Sequence, residues 1–549
     1  MTETLLLSPQ PELVFGLVAP IGADLQIVAE VLEETLREVE YRTQEFRVTG
    51  LMREVPTGLS IAESPYIQSY KDRIAYANSM RAKLGDDALA ALAVSAIRSF
   101  RAEEWERRGQ SSSTKSHEKN ELPNIVPSGR NLEEIPLPGQ AYVVRQFKRP
   151  EEIALLRSVY ARQFILVSAY VSQESRLERI EGLERQSHGG LISQVEAHKA
   201  AFDLVAQDAK ETQDAHGQNV RDAFPLGDVF IDASSRTTCE STMRRFIHLL
   251  FGDNQITPTP MEYGMYMAKS ASLRSSDLSR QVGAAIFRPS MEIIALGCNE
   301  VPKAGGGTYW SGDPLDSRDF VTGIDPNEQM KVELLVDVLD RLKKTQNLSA
   351  TLMELGDTYA IAQSLLKSDD PNGLAESKVM DLLEFGRIIH AEMSAISDAA
   401  RKGVPVEGAT LFCTTFPCHL CAKDIVATGI KRVVFLEPYP KSYAFELHRD
   451  AINVEGDAEG RKVLFEAFIG VSPYRYRDLF EKGRRKYSGG IAQKWNKDVK
   501  RPMIEVYFPS YFEAETHVAA SLHNALETLP KKRFASRKGG RRGPRGRGR

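Results

Sequence analysis

Residues 13–19 form an unbroken apolar run that stops at Pro20 and Gly22. Leu25, Val28, Val31, Leu32 and Leu36 follow at helical spacing, and residues 41–48 then alternate as a strand does. Strand, tight loop, helix and strand in that order predict the opening of a parallel α/β domain. Residues 141–145, 164–170 and 228–231 are further strand candidates, with charged helical stretches between them. From about residue 103 to 138 the chain is rich in Ser, Lys, Glu, Asn and Pro and reads as a mobile insertion.

A second unit begins near Ser234. Residues 261–272 read as a helix, and 282–287 with 293–296 as a hairpin turning at Pro289-Ser290. Residues 303–385 intervene, flexible at Gly305-Gly306-Gly307 and helical after Glu328. A helix then ends near Gly403, residues 410–413 form a strand, 418–428 a helix closed by Gly429, and 432–436 another strand. The expected class is α/β throughout, with a parallel-sheet domain over 1–235 and an α/β/α domain over 236–520. Residues 521–549 are expected to be a basic, Gly/Arg-rich disordered tail.

The chain has 549 residues, of which 42% are hydrophobic and 26% charged, and no apolar run approaches the ~18 residues of a membrane span. Its N-terminus lacks the basic flank of a secretory signal. Five cysteines are an odd number for a disulfide framework, so a reducing, cytoplasmic setting is expected. The net charge of −3 hides an asymmetry: residues 531–549 carry ten Lys or Arg and no acid, leaving 61 basic against 74 acidic residues elsewhere. That tail either contacts nucleic-acid phosphates or only solubilises the chain.

The chemistry lies in His390-Ala391-Glu392 and Pro417-Cys418-His419-Leu420-Cys421. Cys418 and Cys421, at i and i+3 on a helix start, share one face, and His390 completes a three-ligand set for Zn²⁺ with a position open to water. Glu392 can converge on the same metal only if His390 stands at the helix start, where it would act as proton shuttle. His-x-Glu followed by Pro-Cys-x-x-Cys is the signature of a zinc-dependent nucleobase deaminase. A closed structural site would want a fourth ligand, for which Cys413 is the alternative.

Ser275-Ser276-Asp277, the run from Ser279 to Ala284, and Gly297-Cys298-Asn299-Glu300-Val301-Pro302 resemble the front half of deoxycytidylate deaminases. The resemblance implies a cytidine-deaminase-like fold and assigns Asn299 to the sugar and phosphate side of the nucleotide. Ser275, Gln281, Tyr439 and Lys441 are further candidates for substrate contact. The 303–385 segment departs from the small members of that family.

Gly16 to Asp24 occupies the place of a phosphate-binding loop, but Ala23 stands where lysine is needed and Asp24 where Ser or Thr would hold Mg²⁺. Gly16, Gly22 and Asp24 therefore mark either a nucleotide-binding loop without phosphoryl transfer or a plain turn. Residues 163–170 and 217–225 resemble later parts of a P-loop nucleoside-monophosphate-kinase-like module.

A degenerate kinase-like half joined to a deoxycytidylate deaminase half resembles the bacterial anti-phage dCTP deaminases. That resemblance implies deamination of dCTP and dCMP on infection, a homo-oligomer, and restraint by a regulatory RNA. The alternative is a deaminase that edits a base in RNA or single-stranded DNA, which the basic tail favours and the acidic body disfavours.

Overall fold

The computed structural model describes residues 10–112, 131–211, 214–367, 373–439, 442–454, 460–483, 485–492, 495, 501–504 and 511–528. Lys441, the middle of the 103–138 segment and the tail beyond 528 lie outside them.

Five strands of the first half, β1 (Leu13–Val18), β2 (Arg42–Arg47), β3 (Gln140–Phe147), β4 (Phe164–Tyr170) and β5 (Val229–Asp232), form a parallel sheet. Their order is β5-β4-β1-β3-β2. Every residue of β1 is buried, as expected of a central parallel strand covered on both faces. Its alternate side chains divide between two cores. Leu13, Phe15 and Leu17 meet helices Leu25–Glu38 and Arg236–Leu250. Val14 and Val18 meet helices Ala88–Ser112, Pro150–Tyr160 and Tyr511–Glu527.

The second sheet comprises β6 (Gly283–Phe287), β7 (Ile293–Cys298), β8 (Thr410–Thr415), β9 (Arg432–Glu437), β10 (Ile452–Val454) and β11 (Val463–Ala467). Its order is β10-β11-β9-β8-β6-β7, with β6 antiparallel to both neighbours and the rest parallel. Helix Pro260–Ser272 covers one face, packing on Phe287 and Phe412. Helices Ala391–Arg401 and His419–Ala427 cover the other, on Ile286, Leu411 and Val433. The three layers match the α/β/α expectation.

After β11 the chain returns to the first sheet, where β12 (Gly470–Val471) pairs antiparallel with β5. Gly470 has φ +137°, and a Cβ there would lie 2.8 Å from Glu262 Cγ, so the crossing requires glycine. Arg475 then ties Asp228 at 3.0 Å and the Phe164 carbonyl at 2.9 Å.

Three expectations change. Helix Arg236–Leu250 belongs to the first sheet, because its apolar face (Met243, Phe246, Ile247, Leu250) fills that core. Helix Tyr511–Glu527 runs through the expected 520/521 boundary with Leu522 buried, so the start of the supposed tail is ordered on the first unit. The edges of the 103–138 segment are also built in: helix Ala88–Ser112 runs through its start, Trp105 Nε1–H donates to the Ile135 carbonyl, and Leu137 is buried. Its charges look like those of a solvated segment but are paired, Arg108 with Glu104 inside it and Glu133 with Arg98 on the preceding part of the helix.

Candidate metal centre and cavity

His390 is the N-cap of helix Ala391–Arg401, with extended backbone (φ −66°, ψ 155°). Ile389 just before it exchanges two backbone hydrogen bonds with Glu300, at 3.3 and 3.2 Å, which fixes the entry into the helix. Gly297 on β7 lets that helix lie close: a Cβ there would stand 2.1 Å from the Ala391 carbonyl oxygen. Cys418 is likewise an N-cap, and its sulfur accepts from the Cys421 amide at 3.5 Å. Two helix starts thus aim three side chains at one point.

His390 Nδ1 lies 3.3 Å from Cys418 Sγ and 3.4 Å from Cys421 Sγ. A tetrahedral Zn²⁺ with its ordinary Zn–S and Zn–N bond lengths separates such ligand atoms by about 3.5 Å. Two thiols and an imidazole are also the donors zinc prefers, and the trio fits a zinc site. Among the described residues no fourth His, Cys, Asp or Glu joins the group, so Cys413 is not a ligand. Cys413 is instead buried on β8, where burial first and the Glu392 charge second push its thiol up.

Protons are shared within the cluster. Hydrogen bonding to Cys421, then to His390, holds the Cys418 thiol well below its ordinary value, while the Cys418 contact raises Cys421. The Cys418 thiolate raises His390. Glu392 is 4% exposed, and burial, with the thiolate's charge second, pushes its carboxyl above the ordinary range. A carboxyl so placed exchanges a proton more readily near neutrality than a solvated one.

A cavity of about 330 Å³ contains His390, Glu392 and Cys418 in its lining, together with Asn299 and Tyr439. Asn299 accepts from the Val282 amide at 2.7 Å and donates to the Arg280 carbonyl at 2.9 Å, so it also braces the Arg280–Val282 bend. Arg280 lies over the Tyr439 ring at 4.9 Å. Ser275 and Gln281 do not line the cavity. Gln281 Nε2 donates to the Ser275 carbonyl, and the Ser275 hydroxyl accepts from the Asp277 amide, so both shape the turn behind the wall. His419 is half-buried with its ring edge-on to Tyr443, and is no ligand.

Among the cavity residues without any sign in the sequence are Asp319, Asn327, Lys331 and Arg387. These lie in or just after the 303–385 segment, and no motif marks them.

In the first unit, Gly16 lies inside β1, where a Cβ would stand 2.8 Å from Phe164, so it serves packing. Gly22 (φ +90°) lies against Arg176. Asp24 caps helix Leu25–Glu38 by accepting from the Gln26 and Ile27 amides, and pairs with Arg179 at 2.6 Å. The Ile21 amide donates to Asp208 at 2.7 Å. Of the loop amides, Ile21 is thus held by Asp208 and Ala23 by the Pro20 carbonyl, while Asp24 takes the first amides of the helix.

Residues 258–437 match the family model described as the cytidine and deoxycytidylate deaminase zinc-binding region. The deoxycytidylate deaminase of Enterobacteria phage T4 is 52% identical over 54 residues, covering 10% of this chain and 28% of that protein. ComE operon protein 2 of Bacillus subtilis is 46% identical over 66 residues, covering 12% and 35%. The chain thus spans about a third of the length of these curated relatives. A solved dCMP deaminase from cyanophage S-TIM5, in complex with dCMP and dUMP, aligns over 38% of this chain and 98% of its own, at 18% identity and a TM-score of 0.21.

Proposed function

We propose that the chain hydrolyses the 4-amino group of a deoxycytidine nucleotide, dCTP or dCMP, releasing ammonia and the uracil nucleotide. The observation that carries this is the convergence of His390, Cys418 and Cys421 within 4.8 Å of one another beside buried Glu392. The family match over residues 258–437 and the names of the relatives support the substrate class.

In this reading His390 Nδ1 and the two sulfurs hold Zn²⁺. Bound there, the metal supplies the Lewis acidity that makes water nucleophilic near neutral pH. Glu392 does the proton work: its carboxylate takes a proton from the attacking water and gives it to ring N3 as the new C–O bond forms at C4. The remaining hydroxyl proton then passes through the same carboxylate to the amino nitrogen, the C4–N bond breaks, and ammonia leaves. Asn299 orients the sugar side of the substrate, with Tyr439 beside it on the cavity wall.

We further propose that such deamination depletes deoxycytidine nucleotides in defence against phage, in the cytoplasm and as a homo-oligomer, with a regulatory RNA as restraint. The first unit would serve as the regulatory half, because its loop lacks the lysine of a phosphoryl-transfer site. A nucleic-acid-editing reading fits less well, since a segment of the chain itself walls the cavity from which a long strand would have to emerge.

The test offers purified, zinc-loaded protein dCTP, dCMP and cytosine-containing oligonucleotides, following ammonia and uracil, with Glu392→Ala as control. Turnover confined to oligonucleotides would reject the free-nucleotide reading.

A further inference from the structure

The cavity wall supplied by the 303–387 segment has a hydrogen-bond ledger that does not close within the protein. Lys331, on helix Pro326–Lys344, is 5% exposed. An ammonium has three N–H donors. Its nitrogen contacts the Glu328 carboxylate and donates to the Met380 carbonyl at 2.8 Å, and the third N–H has no partner among the described residues. Two buried acceptors on the same wall, Asp319 Oδ1 and Asn327 Oδ1, receive no hydrogen bond. Asp319 is 5% exposed, and Arg387 stands 3.4 Å from that same oxygen, offsetting its charge without a hydrogen bond.

Buried polar atoms without partners are costly, and a ligand that supplies the missing groups recovers that cost on binding. One spare cationic donor with two spare acceptors is a specific requirement. An ionised phosphate offers acceptors only, which suits Lys331 and not Asp319. A sugar hydroxyl has one O–H to donate, so the 3′-hydroxyl of a deoxynucleotide supplies a partner for one of the two acceptors, Asp319 or Asn327. We infer that this wall is the sugar–phosphate subsite of the cavity, with Lys331 as the residue that distinguishes a nucleotide from its nucleoside. The inference rests on the deamination reading above and adds residues for which the motifs gave no sign. Glu328 is 55% exposed at its side chain and can turn to water when a phosphate takes its place on the ammonium.

The experiment measures binding of deoxycytidine, dCMP and dCTP by calorimetry to zinc-loaded protein carrying Glu392→Ala, so that no ligand is consumed. Lys331→Met is expected to reduce the preference for dCMP over deoxycytidine about tenfold or more, the scale of a lost charge-assisted hydrogen bond, while Lys331→Arg retains most of it. A merely structural role would weaken both ligands together and leave their ratio unchanged, and that result overturns the assignment. Glu328→Gln tests it with the opposite sign, because freeing the ammonium should raise the preference. An unchanged ratio there counts equally against it. If the wild type deaminates dCMP while Lys331→Met keeps its preference, only the Lys331 assignment falls. A zinc-loaded wild type that deaminates no deoxycytidine nucleotide removes the deamination reading and this subsite with it.

Discussion

Asp208 holds Lys148 at 2.7 Å through one carboxylate oxygen and the Ile21 amide at 2.7 Å through the other. Lys148 also donates to the Ala19 carbonyl. A single buried acid therefore pins both the end of β3 and the loop that leaves β1. Removing it strands a buried ammonium, which costs about 3–5 kcal/mol when a paired charge is left alone. Asp208→Ala should lower the denaturant midpoint accordingly, and the intact protein should show no ATP-dependent phosphorylation of dCMP. Phosphoryl transfer by the wild type would contradict the reading of a loop without its lysine.

Glu392→Gln should keep its zinc and lose turnover by about 10²–10⁴-fold, the range for a positioned proton shuttle. Metal content measured beside the rate separates lost chemistry from a lost site. A variant with less than half the wild-type zinc would show that Glu392 holds the centre together rather than moving protons.

Chelation should abolish deamination, and added Zn²⁺ should restore it. Cys418→Ser removes one of two thiolates and should bring zinc below one equivalent at neutral pH. Protons compete with the metal for both thiolates and the imidazole, so acid should release zinc and neutral pH should retain it. Zinc content independent of pH between about 4 and 8 would be incompatible with this ligand set.

Gly297→Ala places a methyl where the Ala391 carbonyl already lies, so the helix start carrying His390 and Glu392 must shift. Overpacking of this kind costs about 1–3 kcal/mol, and here the damage should fall on zinc affinity more than on overall stability. Paired measurements of thermal midpoint and zinc dissociation decide it. Unchanged zinc affinity would mean that the hairpin yields instead of the helix.

Arg101 is fully buried between Glu12 and Glu515, at 2.9 and 2.8 Å, and Tyr511 and Tyr160 complete the carboxylates' hydrogen bonds. Arg101→Met leaves two buried acids without a cation and should cost at least about 3–5 kcal/mol. Because Glu515 sits on helix Tyr511–Glu527, limited proteolysis should then release that helix first. Equal resistance at both ends would argue that apolar packing alone retains it.

The trio that fits a zinc site and the sheet cores are legible in the sequence because each has a local signature. The run at residues 13–19 is apolar without interruption, and the His-x-Glu and Cys-x-x-Cys spacings place their side chains by helix geometry alone. Ser275 and Gln281 stand outside the cavity lining for a related reason: a turn that braces itself, Gln281 onto the Ser275 carbonyl, uses the same polar residues as one that binds a ligand. Asp319, Asn327 and Lys331 were invisible because their roles come from tertiary closure, and along the chain they look like any solvated helix face. The two residues of β12 carry no periodicity at all, so the crossing back to β5 could not be anticipated.

That crossing makes the first sheet's unit discontinuous in the chain. β12 and helix Tyr511–Glu527 complete it from beyond the zinc-binding segment. During synthesis, therefore, the N-terminal half emerges with an uncovered sheet edge and a core face lacking its last helix, and it can close only after the deaminase-like unit has left the ribosome. The order of assembly is thereby inverted: the half made first is finished last.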